Sequence, residues 1–125
     1  MRRILVVDDE EKIRAIIRKY GEFEGYDITE AKDGMEAVKL CREQDFDVII
    51  LDIMMPELDG LSATRAIRGM DRPDARLPII AMTANLFDED VAACLAAGMD
   101  AHIPKPLEAG QMIRTIAEWL ERKKQ

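Results

Sequence analysis

Short apolar runs alternate along the chain with stretches whose apolar residues recur at helical spacing. Ile4 to Val7, Val48 to Leu51 and Ile79 to Met82 are unbroken, which predicts parallel strands buried on both faces. Asp27 to Ala31 is more polar and suits an edge strand, and Asp100 to Ile103 supplies a short fifth strand. Between them, Ile13, Ile16, Ile17 and Tyr20 recur on one side of a helix, and Ala37, Val38 and Cys41 do the same in the next segment. A third helix is expected from about Gly60 towards Ile67. The fourth carries Phe87, Val91, Cys94 and Leu95 on one face, and the last carries Met112, Ile113, Ile116 and Leu120.

Chain breakers fall between these elements: Asp33-Gly34, Pro56 with Asp59-Gly60, Pro73 to Pro78, Gly98 after a helix, and Lys105-Pro106 after the last strand. Five β/α units in series predict an α/β fold, a parallel sheet with right-handed crossovers and helices on both faces. The expected arrangement is flavodoxin-like and doubly wound, (βα)5, with strand order 2-1-3-4-5. Ligands then bind beyond the carboxyl ends of the strands, near the switch point between strands 1 and 3.

Composition narrows this picture. A chain of 125 residues, 48% hydrophobic and 34% charged, suits a single domain spanning 1–125 with one sheet-centred core. No stretch approaches the roughly 18 apolar residues of a membrane helix, and Met1-Arg2-Arg3-Ile4 runs into a strand without a cleavable apolar region, so a cytoplasmic protein without membrane contact is expected. Cys41 and Cys94 are isolated in helical stretches and read as small buried apolar residues. A net charge of −7 argues against direct nucleic-acid binding, and the one basic run, Arg122-Lys123-Lys124, suits a helix end.

The strand ends carry the candidate chemistry. Strand 1 ends in Asp8-Asp9, strand 3 in Asp52, strand 4 in Thr83 and strand 5 in Lys105, and all should meet on one rim. Two like charges about 4 Å apart repel by roughly 4 kcal/mol at an effective dielectric of 20, so three carboxylates there call for a cation. Oxygen ligands without His or thiolate suit Mg²⁺, with Mn²⁺ as a substitute. A carboxylate can then attack phosphorus while the metal and a Lys neutralise the oxygens of the transferred group. Asp52 is the central candidate nucleophile, Lys105 the point charge, and Thr83 a hydroxyl donor.

ILVVDDE (Ile4 to Glu10), DVIILDIMMPELDG (Asp47 to Gly60), MTA (Met82 to Ala84) and KP (Lys105-Pro106) together resemble the response regulator receiver family, the fold of chemotaxis regulators, over the whole chain. Each element is weak alone, but their order and strand spacing make a specific set. The resemblance implies that Asp52 is the phosphoacceptor, that Asp8 and Asp9 help hold Mg²⁺ with the backbone carbonyl of Met54, and that Thr83, Ala84 and Lys105 bind the phosphoryl group. It implies a cis peptide between Lys105 and Pro106. A sensor histidine kinase or histidine phosphotransfer protein would be the donor. Phosphorylation would move Thr83 inward and repack the face of helix 4, strand 5 and helix 5 for a downstream protein, an output domain or a dimer partner. At the switch position, commonly Tyr or Phe, this chain has His102, and Met54 and Asn85 flank the site where they would set phosphoryl lifetime. The first half resembles receivers of DNA-binding regulators, and Met82 to Leu107 resembles receivers attached to hybrid sensor kinases.

Bland alternatives stand beside each residue. Asp8 or Asp9 alone could cap the first helix, Asp52 could be an ordinary strand-end residue, and Thr83 an ordinary β-branched one; their joint placement favours the site. His102, the only histidine, reads as a partly buried strand residue, so the phosphodonor must come from elsewhere. Trp119, Met54, Met55 and Met99 read as packing residues. A phosphohydrolase of the haloacid dehalogenase type would need a second acid two residues after Asp52, where Met54 stands, so turnover on a diffusible ester is not expected. A flavin binder gains no support from a single Trp, and retention of every site residue weighs against a phosphorylation-independent module. The chain ends soon after the fifth helix, so no attached output domain is expected within it, and both a stand-alone regulator and a piece cut from a larger kinase or transcription factor stay open.

Overall fold

The computed structural model describes residues 2–53, 60–70, 77–83 and 88–123. Met54, Met55, Pro56, Asp59, Pro73, Ala84, Asn85 and Phe87 lie outside the described residues, as does the side chain of Val91. The elements are β1 (Arg3–Val7), α1 (Glu11–Phe23), β2 (Asp27–Ala31), α2 (Gly34–Glu43), β3 (Val48–Asp52), α3 (Gly60–Arg68), β4 (Ile79–Thr83), α4 (Asp88–Ala97), β5 (Ala101–Pro104) and α5 (Ala109–Lys123). The five strands form one sheet in the order β2-β1-β3-β4-β5, and every pairing is parallel. The expected doubly wound fold is therefore present.

Alternation along each strand divides the core into two halves. Leu5, Val7, Ile49, Leu51, Ile79 and Ala81 pack with Val38 and Cys41 of α2, Ala63 and Ile67 of α3, and Cys94 of α4. Ile4, Val6, Val48, Ile50, Ile80, Met82 and Ile103 pack on the other face with Ile17 of α1 and Met112, Ile116 and Leu120 of α5. Unbroken apolar runs were needed because successive side chains enter opposite halves, each covered by helices. Truncating a fully buried residue such as Ile50 to Ala would cost about 2–5 kcal/mol.

Local signals fix the connections. Asp33 caps α2, its carboxylate accepting from the Glu36 amide at 2.8 Å. Gly98 takes φ 109 after α4, the left-handed geometry that favours glycine at a helix end. Arg68 then ties this turn to the sheet, donating to the Gly98 carbonyl at 2.9 Å, the Leu77 carbonyl at 2.7 Å and Asp100 at 2.7 Å.

Several expectations need correction. Leu95 does not share the inner face of α4 with Cys94; it is 60% exposed, and the next inward residue is Ala97. Ile16 and Tyr20 sit at the edge of the buried stripe of α1, substantially exposed, so the inward face is narrower than the periodicity suggested. The fifth strand runs one residue later than Asp100 to Ile103; Asp100 stands just before it, its amide donating to the Ile79 carbonyl at 2.9 Å while its side chain accepts from the Ile79 amide and Arg68. His102 is exposed, not partly buried, on this edge strand.

Candidate phosphoacceptor site

The parallel register brings the chemically equipped residues to one rim. Asp52 is the last residue of β3 and pairs with Met82, one step before Thr83 at the end of β4, which in turn pairs with Pro104. Asp8 and Asp9 follow directly on β1, and Lys105 directly follows β5. Asp8, Asp52 and Thr83 are buried, an unusual state for polar side chains unless they are partnered.

Lys105 supplies that partner for the two carboxylates. Its Nζ donates to Asp8 Oδ2 at 3.0 Å and to Asp52 Oδ2 at 3.2 Å, bridging residues 97 and 53 positions away in the chain. Burial pushes the Lys105 ammonium towards the neutral form, but hydrogen bonds and charge attraction from Asp8 and Asp52 outweigh it and raise its pKa above the usual 10.5. The Lys105-Pro106 peptide is cis.

Asp8, Asp9 and Asp52 each offer a carboxylate oxygen, and these oxygens lie within 4.8 Å of one another. Asp8 and Asp52 are buried while Asp9 is exposed, so the cluster is walled on one side and open to water on the other. One ammonium against three carboxylates leaves a net charge near −2. An all-oxygen, partly open donor set of this kind fits Mg²⁺, which prefers a few carboxylates together with retained waters. Among the described residues, no other group of three or more His, Cys, Asp or Glu side chains is placed to hold a metal.

Asp8 also has a structural task. Glu10 stands at the N-cap of α1 without a side-chain cap, and Asp8 Oδ1 accepts the Glu10 amide at 2.8 Å. The capping and acidic-site readings of Asp8 are thus compatible, since its other oxygen faces Lys105. Two supporting residues had no signal in the sequence pattern. Arg14 donates to the Asp8 carbonyl at 2.8 Å and to Glu30 at 3.1 Å, tying the acidic turn to β2. Gly60 opens α3 so close to the site that a Cβ there would overlap the Asp52 carbonyl oxygen and lie 2.6 Å from Ile53 Cα. Its Asp59-Gly60 setting announced a turn, not this approach.

Of the remaining expected residues, Thr83 lies buried at the same rim, and His102 is exposed on β5. Met54, whose carbonyl was expected to join the metal ligands, and Ala84, expected at the phosphoryl group, lie outside the described residues.

The sequence matches the response regulator receiver domain over residues 4–117. It is 38% identical over 122 residues to the response regulator MprA of Mycobacterium tuberculosis, covering 98% of this chain and 52% of that protein. It is 36% identical over 119 residues to the CAI-1 autoinducer sensor kinase/phosphatase CqsS of Vibrio cholerae, covering 95% of this chain and 17% of that one. The chain thus spans about half the length of the first relative and a smaller part of the second. Among solved structures, the receiver domain of a Pseudomonas aeruginosa sensor histidine kinase, with a magnesium ion coordinated in its active site cleft, superposes with a TM-score of 0.88 at 37% identity, covering 96% of this chain and 98% of that one. The Vibrio cholerae chemotaxis protein CheY4 gives a TM-score of 0.90 at 30% identity, covering 94% of this chain and 98% of that one. Among the described residues, no helix is long and apolar enough to cross a membrane.

Proposed function

The chain belongs to the response regulator receiver family of two-component signalling, and from that premise we propose that it takes a phosphoryl group from a histidine of a partner kinase or phosphotransfer protein onto Asp52. The observation that carries this reading is the Lys105 ammonium within hydrogen-bond reach of both Asp8 and Asp52. It marks a point where negative charge has been gathered deliberately and one cation is already committed to it.

In the transfer, an Asp52 carboxylate oxygen forms a bond to phosphorus as the bond from phosphorus to the donor imidazole nitrogen breaks. The electron pair leaves with the imidazole, which takes a proton from solvent. Lys105 exchanges its contact with Asp52 for one with a phosphoryl oxygen, and the Thr83 hydroxyl and the Ala84 backbone bind the other oxygens. Asp8, Asp9 and Asp52, with the Met54 carbonyl, would hold Mg²⁺, or Mn²⁺ in its place, and the ion when bound would neutralise charge on the phosphoryl oxygens. The protein's own residues supply position: Asp8 is held by the Glu10 amide and Lys105, and Arg14 fixes the turn that carries it.

The product alters a charge-balanced cluster, and the change passes through Thr83 and His102 to the face formed by α4, β5 and α5, where a downstream protein or an output domain binds. The protein acts as a signalling switch in the cytoplasm, catalysing only its own phosphorylation and dephosphorylation. The test is incubation with acetyl phosphate and Mg²⁺ followed by intact-mass analysis. The expected result is the mass gain of one phosphoryl group in the wild type and none in Asp52→Asn; a wild type that stays unmodified, or an Asp52→Asn that is modified equally, refutes the assignment.

A further inference from the structure

Every polar atom of Asp8 has a partner. Its amide donates to the Ala31 carbonyl at 3.2 Å, Oδ1 accepts from the Glu10 amide, Oδ2 accepts from Lys105, and the carbonyl oxygen accepts from Arg14 Nη1 at 2.8 Å. Asp9 is the exposed member of the cluster, so the direction of its carboxylate follows from the backbone that carries it. The peptide that joins the two residues is the one whose carbonyl Arg14 holds.

Arg14 is itself held. Its Nε donates to Glu30 Oε1 at 3.1 Å, and the second oxygen of Glu30 accepts from Arg18 Nη1 at 2.5 Å. Arg14, Arg18 and Glu22 follow one another at four-residue spacing on α1, and Arg18 Nε lies 3.7 Å from Glu22. Charges therefore alternate along a row that runs from Glu22 at the surface to the Asp8 carbonyl. Arg14 and Glu30 form its inner pair, with side chains 16% and 25% exposed, and Glu30 stands on β2 opposite Val6.

We propose that Glu30 is a positioning residue for divalent-cation binding: acting through Arg14, it fixes the Asp8-Asp9 peptide and so the direction from which Asp9 meets the ion. This role rests on the reading that Asp8, Asp9 and Asp52 hold Mg²⁺, and Glu30 lies outside that ligand set. Two effects work in the same direction. The guanidinium is planar with its donors in a fixed fork, so a bond at Nε orients Nη1 and keeps it on the Asp8 carbonyl. Glu30 also neutralises Arg14 beside a cluster whose net charge is near −2. Without that counter-charge the guanidinium is drawn towards the carboxylates, where it competes with a divalent cation.

Calorimetric titration of Mg²⁺ alone into the full chain tests the proposal, with urea unfolding in metal-free buffer as the check on the fold. Binding by the wild type decides whether the carboxylates hold the ion at all, and the variants decide the part played by Glu30. Glu30→Gln keeps the shape of the side chain and removes its charge, and it should weaken Mg²⁺ binding about tenfold, as loss of a group supporting the ligands does. Glu22→Gln removes the same charge from the outer end of the row and should change the affinity less than about twofold. Because Glu30 acts through Arg14, the double variant Arg14→Ala/Glu30→Gln should bind no more weakly than Arg14→Ala alone. Three results would each overturn the proposal: Glu30→Gln binding Mg²⁺ as the wild type does, whatever its stability; Glu22→Gln losing as much affinity as Glu30→Gln; or losses that simply add in the double variant.

Discussion

Replacing Lys105 by Met keeps the stem of the side chain and removes its charge, and the two consequences should have opposite signs. The ammonium lies 3.0 Å from Asp8 and 3.2 Å from Asp52, with only 19% of the side chain exposed. At an effective dielectric of about 20, each contact contributes about 5 kcal/mol of attraction, most of which is offset by the cost of taking the charges out of water. Breaking a buried pair by deleting one partner costs about 3–5 kcal/mol, because the remaining carboxylates keep their burial and lose their counter-charge. Urea unfolding followed by circular dichroism in metal-free buffer should therefore show Lys105→Met less stable by about 3 kcal/mol or more. With the cluster charge near −3 instead of −2, Mg²⁺ should bind the variant at least about tenfold more tightly by calorimetry. Phosphorylation by acetyl phosphate should nevertheless fall, since the charge that meets the phosphoryl oxygens is gone. A variant as stable as the wild type without metal, or one that binds Mg²⁺ more weakly, would refute the idea that Lys105 occupies the place of a cation among the carboxylates.

Other perturbations follow from single contacts. Gly60→Ala pushes a methyl group into the Asp52 and Ile53 backbone, which has no flexible end to give way, so thermal unfolding should show a loss of about 1–3 kcal/mol and acetyl phosphate labelling should slow. Arg14→Ala frees the Asp8 carbonyl and should weaken Mg²⁺ binding about tenfold by calorimetry, whereas a loss of stability with unchanged affinity would reduce Arg14 to a scaffold role. Glu108 caps α5, accepting amides of Gln111 at 2.7 Å and Gly110 at 3.0 Å, and these bonds hold its pKa below the usual 4.5. A depressed carboxylate contributes stability that is full above 4.5 and is lost as pH falls through its lowered value, so the difference between wild type and Glu108→Gln in acid melts should be full above 4.5, shrink below it and vanish only beneath the lowered value.

The sheet was legible because its strands are buried on both faces: Ile4 to Val7 or Ile79 to Met82 has no other stable place than between two layers of helices. The site was legible for a related reason. Once the strand order is given, Asp8, Asp52, Thr83 and Lys105 share a rim by register alone, without any knowledge of side-chain packing. What escaped the sequence depends on single side chains at the margin of burial. Ile16 and Leu95 follow the helical period yet keep 42% and 60% of their surface in water, because each sits at or beyond the margin of its helix's buried stripe. His102 occupies a strand position, but that strand is the sheet edge and its alternation points the residue outward. Arg14, Arg68 and Gly60 act through backbone carbonyls, and a backbone acceptor leaves no trace in a residue pattern.

The acidic rim is a local cost carried by the rest of the fold. Its carboxylates are held together against repulsion by one ammonium, while the stability that permits this comes from side chains such as Ile50, Met82 and Leu51 beneath them. A ligand that binds only the folded rim then stabilises the whole domain by RT ln(1 + [L]/Kd), about 2.7 kcal/mol at a hundredfold excess over Kd. On the proposed reading, a cation bound there need not push any element directly: it would relieve the repulsion between carboxylates at the ends of β1 and β3, the ends from which the loops to α1 and α3 set out.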